Sequence, residues 1–317
     1  MQLNTSERSR LEYRARINRV MDYIENHIEQ PIDLAILAGI AHFSPFHFHR
    51  IFSTLTGETP NNFLQRIRIE KAAYLLLNRK EITISEIAYS CGFNNASSFS
   101  RSFKKHFGVT AKEVHKMEKA IYSKDGLLYS KNGKLISKIG KANTHTDYQF
   151  CSVEFKNLII MDTKIEIKEM PEMLVVYCRH MGAFDQIGKA YEKLMKWAGP
   201  RGLLKFPETK SLTLYRDDPS VTEIEKVRQD ACITVAEDVK TDGEIGKSIV
   251  KGGKYAVGRF EITATEFQEA WNTMCLWFTE SGYQPADNNT YELYHNDHND
   301  HPEHKFILDI CIPIKPL

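Results

Sequence analysis

From about residue 7 to residue 119, apolar residues recur at helical spacing and no stretch alternates as a strand does. Phe48, Ile51, Phe52 and Leu55 stand at i, i+3, i+4 and i+7 and form one such core stripe. Helix starts punctuate the region. Thr83-x-x-Glu86 and Thr110-x-x-Glu113 fit the capping box, in which hydroxyl and carboxylate satisfy orphan amides reciprocally. Ser44-Pro45 and Thr59-Pro60 each place a capping hydroxyl before a proline at the first helical position. Gly39, Gly57, Gly92 and Gly108 stand where turns are expected. After Met161 the pattern changes. "KIEIKEMPEMLVVYCRHMG" reads as two strands broken at Pro171, "AFDQIGKAYEKLMKWAG" as an amphipathic helix, and "SLTLYRD" and "RQDACITVAE" as a strand pair.

Both halves are internally repeated. Leu37 and Ala38 match Ile87 and Ala88 at an offset of 50, and Phe48, Arg50, Phe52 and Gly57 match Phe99, Arg101, Phe103 and Gly108 at 51. One extra turn residue accounts for the change, so the segment holds two helix–turn–helix units joined by a helix over about 61–78. In the back half, Ala190, Tyr191 and Trp197 match Ala270, Trp271 and Trp277 at 80, and Leu214, Tyr215 and Cys232 match Leu293, Tyr294 and Cys311 at 79. The predicted fold is multidomain: an all-α tandem helix–turn–helix domain at 1–118, a basic linker at 119–161, and an α+β domain of two βαββ repeats at 162–317. The repeats are expected to share one saddle-like sheet with both helices on one face.

Composition narrows the function classes. The 317 residues carry a net charge of only +1, but that charge is unevenly spread. Residues 1–118 hold 16 Lys and Arg against 12 Asp and Glu, residues 119–150 hold six against two, and residues 151–317 hold 20 against 27. A basic front with an acidic back points to a polyanion partner for the first and another task for the second. No apolar run approaches the roughly 18–20 residues of a membrane span. The first 20 residues, "MQLNTSERSRLEYRARINRV", show no secretory h-region. Six cysteines, far apart and without a CxxC pair, fit a reducing cytoplasm rather than a zinc knuckle or disulfide framework. The expectation is a cytoplasmic protein with no membrane partner and no cofactor.

On the second helix of each unit the outward positions read Phe46, His49, Arg50 and Ser53, then Ser97, Ser100, Arg101 and Lys104. Arg can fork onto guanine or phosphate, and Ser and His can bond base edges or backbone. The alternative is a solvated helix face. "AGIAHFSPFHFHRIF" and "GFNNASSFSRSFKKHFG" resemble the tandem helix–turn–helix domain of AraC/XylS-type transcriptional regulators, over roughly residues 10–117. The resemblance implies two recognition helices about 34 Å apart in successive major grooves of double-stranded DNA. It implies Phe46, His49 and Arg50 as readers in the first unit and Ser97, Ser98, Ser100 and Arg101 in the second. Ala96 and Ser97 stand where some members carry larger amides, so Arg101, Lys104 and Lys105 would grip phosphate there. His115 departs from the aromatic usual near that position.

The linker "YSKDGLLYSKNGKLISKIGKANTHTDYQF" reads either as a solvated tether or as a hairpin through "KNGK", with Lys131, Lys134, Lys138 and Lys141 available to phosphate. Further on, "YELYHNDHNDHPEH" carries His295, His298, His301 and His304 at a period of three. That period suits neither helix nor strand, and the run aligns with another polar connection, "RDDPSVTEIEKVR". It reads as a solvated loop, with weak metal binding as the alternative. Glu292, on the strand before it, either points to solvent or is held in a pocket.

Residues 162–317, with "PEMLVVYCRHMG", "YELYHND" and "DICIPI", resemble the effector-binding domain of GyrI-like proteins and drug-sensing activators. In that family an acidic residue on this strand lies in an aromatic cleft between the repeats, and in drug-sensing members it pairs with hydrophobic cations. The matching residue is Glu292, with Tyr177, Phe184, Tyr215, Trp271, Trp277 and Tyr294 as candidate walls; the aromatics could equally be plain core. Together the resemblances imply a one-component regulator, an activator by preference, binding a small aromatic or cationic effector and engaging RNA polymerase. Two rivals stay open for the back half. One is a hydrolase-like enzyme using Glu292 as general base, although no Ser–His–Asp or Cys–His arrangement supports a nucleophile. The other is a protein-binding module.

Overall fold

A computed structural model of the protein describes residues 4–116, three short strands within 121–137, and residues 160–217 and 224–317. The helices of the front half are α1 (Thr5–Asn26), α2 (Leu34–Ala41), α3 (Pro45–Thr56), α4 (Pro60–Asn78), α5 (Ile84–Ser90), α6 (Ala96–Phe107) and α7 (Ala111–His115). Their starts carry the expected caps. Ser44 and Thr59 accept from the backbone N–H groups of His47 and Asn62, two residues beyond Pro45 and Pro60, and the Thr83–Glu86 and Thr110–Glu113 capping boxes are both closed. Asn4 and Glu7 close a further box at α1.

The turns follow the duplication with one exchange of residue. Gly57 and Gly108 end α3 and α6 with φ of 75° and 71°. Gly39, by contrast, lies inside α2, and the left-handed residue of the first turn is His42 at φ 56°, the counterpart of Gly92 at φ 78°. Only glycine fits at 92, because a Cβ there would stand 2.3 Å from the Ile28 carbonyl oxygen. α4 belongs to both units. Its Phe63, Leu64 and Ile67 enter the first core, and its Ile69, Ala72, Ala73 and Leu76 enter the second with Phe99 and Phe103. Arg68, between the two sets, donates to the carbonyls of Ile28 and Gln30 at 2.9 and 2.8 Å and ties down the loop after α1.

In the linker, β1 (Ile121–Tyr122), β2 (Leu128–Tyr129) and β3 (Leu135–Ser137) pair antiparallel in that order. β2 and β3 flank "KNGK", the pairing a hairpin requires. Lys131, Lys134, Lys138 and Lys141 lie outside the described residues.

The back half contains β4 (Ile165–Met170), β5 (Met173–Met181), α8 (Gly188–Ala198), β6 (Ser211–Tyr215) and β7 (Arg228–Thr234), then β8 (Ile245–Val250), β9 (Gly253–Ile262), α9 (Phe267–Ser281), β10 (Tyr283–Pro285), β11 (Tyr291–Tyr294) and β12 (Phe306–Pro316). The strands form one antiparallel sheet in the order β4-β9-β12-β11-β6-β7-β5-β8, with β10 added beside β12. Both helices cover the same face, α8 on Val176, Cys178, Ala231 and Ile233, and α9 on Ala256, Phe260, Ile310 and Ile312. The other face buries Val175, Leu212, Leu214, Val257, Tyr291 and Leu293 among strand residues.

The repeats meet at β6 and β11, whose antiparallel register sets Glu292 opposite Thr213. These two residues are also repeat counterparts, at the offset of 79. The local twofold relation between the repeats therefore passes through this pair. The buried ion pairs obey it as well. Asp230, fully buried, accepts from Arg179 at 2.7 and 3.0 Å and from Arg216 at 2.7 Å. Its counterpart Asp309 is held by Arg259 and lies 2.9 Å from His295 Nε2.

The front and back halves share a core. α8 buries one stripe, Ala190, Leu194 and Ala198, whereas α9 buries Ala270, Trp271, Thr273, Met274, Cys275, Leu276, Phe278 and Thr279. A helix apolar nearly all round is enclosed. α9 has the sheet on one side and α1 and α3 on the other, and its apolar cluster runs without a break into Tyr13, Ile17, Phe48 and Phe52 of the first unit. Polar contacts reinforce the α1 seam. Tyr13 donates to the Tyr283 carbonyl at 2.8 Å, Arg16 to Gln284 at 2.9 Å, Ser9 to the Phe278 carbonyl, and Arg10 pairs with Glu280.

Asp230→Asn and Asp309→Asn are each expected to destabilise the fold by ~1–3 kcal/mol, measured as a shift in urea midpoint. The loss stays below that of a fully enclosed pair because the arginines reach water. Burial alone would raise the Asp309 carboxyl, but His295 and Arg259 outweigh it and hold the group below its ordinary value of 3.8. Its contribution is therefore complete at neutral pH and is lost as pH falls from that value through the lower folded one. An unchanged midpoint in both variants would remove these pairs from the account of stability.

Candidate functional site

The two recognition helices, built alike, meet different surroundings. On α6, Ser97, Ser100, Arg101, Lys104 and Lys105 are exposed, and Ser98 is half-buried with its N–H on the Asn95 side chain at 2.7 Å. The buried stripe, Phe99, Phe103 and Phe107, faces the other way. All five exposed donors thus lie on one accessible helix face.

On α3 the corresponding face is covered by α9 and the cleft behind it. His49 is only 5% exposed, and Phe46, Arg50 and Ser53 are half-buried. Phe46 packs on Tyr215 and edge-on to Trp271, with ring centroids 6.1 and 6.0 Å away. The Arg50 guanidinium lies 4.0 Å over the Trp271 ring and 4.9 Å over Phe46. Thr54 reaches Asn272 at 3.4 Å, and His47 lies 3.5 Å from the Thr290 hydroxyl. Burial, with Arg50 adding repulsion, pushes the His47 imidazole down to about 3, so it is neutral at physiological pH.

Beneath Arg50 and Trp271 lies Glu292, 1% exposed. Trp271 Nε1 donates to one carboxylate oxygen at 2.8 Å and the Tyr294 hydroxyl to the other at 2.7 Å. Burial raises the carboxyl above its ordinary value; hydrogen bonds from Tyr294, Tyr215 and Trp271 and the charge of Arg50 oppose that rise. Behind it Tyr191 meets Thr213 at 3.0 Å, and Thr213 donates to the Tyr294 oxygen at 3.4 Å. Since Tyr294 gives its own proton to Glu292, the chain Tyr191, Thr213, Tyr294, Glu292 runs in one direction, each hydroxyl donating to the next. Phe184 closes the far side, edge-on to Tyr215 at 5.4 Å.

The repeat symmetry explains the layout. Tyr191, Thr213 and Tyr215 of the first repeat are the counterparts of Trp271, Glu292 and Tyr294 of the second. One half of a twofold site thus carries a hydroxyl on its axis and the other half a carboxylate. Of the expected wall residues the fold gathers Phe184, Tyr215, Trp271 and Tyr294 around Glu292. Tyr177 is a correction. Its strand parity places it with Val175 on the opposite sheet face, over Gly246. Trp277 is another. Six residues beyond Trp271, it stacks on Tyr283 near the end of α9. Tyr191 and Thr213 belong to the site but were not expected there; the offsets that pair them with Trp271 and Glu292 were the available signal.

The histidine run is an ordered connection, and the rings of its first three histidines have separate occupations. His295 joins Asp309, His298 stacks on Phe306 at 4.3 Å, His301 lies 3.6 Å from Glu261, and His304 takes φ 52°. Among the described residues no three His, Cys, Asp or Glu side chains gather where a metal ion could be held. His295 is the counterpart of Arg216, which gives the first of the four a structural reason.

Comparison with known proteins agrees with this division. Residues 163–315 match the GyrI-like small molecule binding domain, and residues 37–117 a helix-turn-helix domain family. The HTH-type transcriptional activator RhaS of Enterobacter sp. (strain 638) is 33% identical over 100 residues, covering 32% of this chain and 36% of RhaS. The probable transcriptional regulator LumQ of Photobacterium leiognathi is 33% identical over 97 residues, covering 30% of this chain and 39% of LumQ. The chain thus spans little more than a third of those regulators. It spans 86% of the DNA gyrase inhibitor of Pectobacterium carotovorum subsp. carotovorum, at 32% identity over 138 residues and 42% of its own length. The crystal structure of the EcmrR C-terminal domain aligns with TM-score 0.41 and 19% identity over 50% of this chain and all of that one. Paired helix–turn–helix units followed by this repeated sheet domain, each matched to its own family, identify the chain as an AraC-type helix-turn-helix protein with a GyrI-like small-molecule-binding domain.

Proposed function

We propose that the protein is a one-component transcriptional regulator that binds double-stranded DNA through its tandem helix–turn–helix units and a small aromatic cation at Glu292. The observation that carries the second part is a buried carboxylate, held by indole and phenol donors, with a cation already stacked on the adjacent Trp271. An unpartnered buried charge is costly, so the site favours a ligand that brings the opposite one. Each cation–aromatic contact adds ~0.5–2 kcal/mol. Both carboxylate oxygens are engaged, which suits a fixed counter-charge better than a general base that must take up a proton. The name of RhaS supports activation, and an activator's natural partner beyond DNA is RNA polymerase.

In the DNA complex the first groove is read by Phe46, His49 and Arg50 and the second by Ser97, Ser98, Ser100 and Arg101, with Lys104 and Lys105 on phosphate. The exposed face of α6 supports the second set directly. The first set becomes available only when α3 leaves α9.

All three tryptophans lie in the back half, so indole fluorescence of the whole protein reports on the cleft. Benzyltrimethylammonium is expected to bind saturably, and benzyl alcohol and benzoate to bind at least tenfold more weakly, a gap of ~1.4 kcal/mol or more. Glu292→Gln should abolish that preference. Because burial raises the Glu292 carboxyl, protons compete for it above the ordinary carboxylate range; cation affinity should fall as pH is lowered, and stay flat in Glu292→Gln. Equal binding of all three probes would defeat the cation reading.

For DNA, a binding site is first obtained by selection from random duplexes. Arg101→Ala is then expected to cost ~1–3 kcal/mol of specific affinity, and Lys104→Ala to reduce the salt dependence by about one counterion. If neither changes, α6 is not the helix that meets DNA.

A further inference from the structure

Helix α3 cannot be docked on α9 and seated in DNA at once. A helix with its side chains is about 10–12 Å across and fills a major groove about 12 Å wide, leaving no room for a second helix on its reading face. Yet the side chains that would read the first groove are the ones packed into the cleft: Phe46 against Tyr215 and Trp271, and Arg50 on Trp271 with its charge acting on Glu292. We propose that Arg50 and Phe46 are the cleft's internal ligand, so that the first recognition helix and the cationic effector compete for one site. The docked arrangement is then the silent state, and the effector releases α3 to DNA. This proposal rests on the cation-binding reading of Glu292.

The chemistry of the two occupants agrees. Arg50 offers a delocalised cation on an indole face and Phe46 an aromatic ring beside it, which together amount to an aromatic cation presented by a helix. The repeat shows what α3 gives up to do this. At the positions of Phe46, Ser53 and Thr54, helix α6 carries Ser97, Lys104 and Lys105, and its face is free. A phenylalanine on a reading face that is otherwise polar is explained by a second, apolar seat.

The docking is also imperfect in a way that permits exchange. Among the described residues, Arg50 Nε and Ser53 Oγ are buried without a hydrogen-bond partner, and the polar links across this part of the interface span 3.4 and 3.5 Å. Unsatisfied buried donors cost free energy that a change of partner recovers. By linkage, whatever factor the effector adds to DNA affinity, DNA must add to effector affinity.

The test uses the whole protein with Thr54→Cys and Asn272→Cys, whose native side chains meet at 3.4 Å. Oxidation should join them in the free protein. The joined form should bind both the selected DNA and benzyltrimethylammonium at least tenfold more weakly, and reduction should restore both. Failure to form the bond, or its formation with both affinities intact, overturns the proposal. If the reduced protein ignores the cation, the sensing reading fails by itself and the internal-ligand proposal with it; the DNA arm then still shows whether docking silences α3. Asn272→Lys guards against a folding artefact. It crowds the docked helix with a like charge and should raise cation affinity severalfold, although simple repulsion between the lysine and the probe predicts the reverse. A weaker or unchanged cation affinity in that variant counts against the proposal.

Discussion

The constraint that organises this molecule is the burial of one carboxylate on the axis between two repeats. Removing Glu292 from water is unfavourable unless donors and a compensating charge surround it. The second repeat supplies two of the donors, Trp271 from α9 and Tyr294 from its own strand, so the carboxylate fixes how α9 sits on the sheet. The first repeat supplies the hydroxyl relay from Tyr191 through Thr213. The positive charge comes from neither. It comes from Arg50, on a helix of the other domain. A local electrostatic requirement in the back half is thus met by a residue of the front half, and the two halves are coupled by that fact.

Gene duplication gives this coupling its form. Each duplicated pair keeps its framework and differs at the positions that matter. In the sheet domain the acidic ion-pair centres Asp230 and Asp309 are preserved as counterparts, whereas the axial pair has diverged to Thr213 and Glu292. In the helical domain Arg50 and Arg101 are preserved, while Phe46 has diverged from Ser97. Two of the divergent residues, Phe46 and Glu292, end up at the same cleft. Repeated scaffolds that diverged at positions including these have become complementary to one another.

Much of this was legible in the sequence because repetition is a signal independent of propensity. The caps at Thr83 and Thr110, the shared helix α4 and the two strands broken at Pro171 all followed from local pattern or from alignment of the chain with itself, whereas Glu292 was singled out by the resemblance to the GyrI-like family. What escaped was relational. Tyr177 looked like a wall residue, but one step of strand parity sends a side chain to the other face of a sheet. Trp277 looked equivalent to Trp271, but six helical residues carry it almost two turns away. The docking of α3 on α9 had a trace that only contrast reveals. "YEKLMKWA" in α8 breaks its apolar stripe with lysines and glutamate, while "WNTMCLWF" in α9 leaves hardly any polar face, and a helix without one needs a cover on both sides. The histidine run drew attention by composition alone, and three of its rings turned out to serve three different local contacts.

The strength of the α3 docking is set by what a small molecule can overturn. Moving a two-state equilibrium from 1:99 to 99:1 takes a ligand that prefers one state by about 5.5 kcal/mol. A charge pairing at Glu292 together with two or three aromatic contacts is of that order, whereas displacing a fully bonded and closely packed domain interface is not. The interface divides along this line. On the α1 side, Tyr13 and Arg16 make bonds of 2.8 and 2.9 Å to the chain beyond α9, and Arg10 pairs with Glu280 at its end. On the α3 side the polar links are long and two buried donors find no partner among the described residues. Because α1 and α3 share one core, α3 cannot peel away alone, and the first unit must swing as a body. The bonded α1 seam is then the natural pivot and the loose α3 contact the part that opens. An interface uniformly as good as the α1 side would leave the effector too little free energy to act; one uniformly as poor as the α3 side would not hold the reading helix off DNA. The unequal quality of the two contacts is what a ligand-operated switch of this size requires.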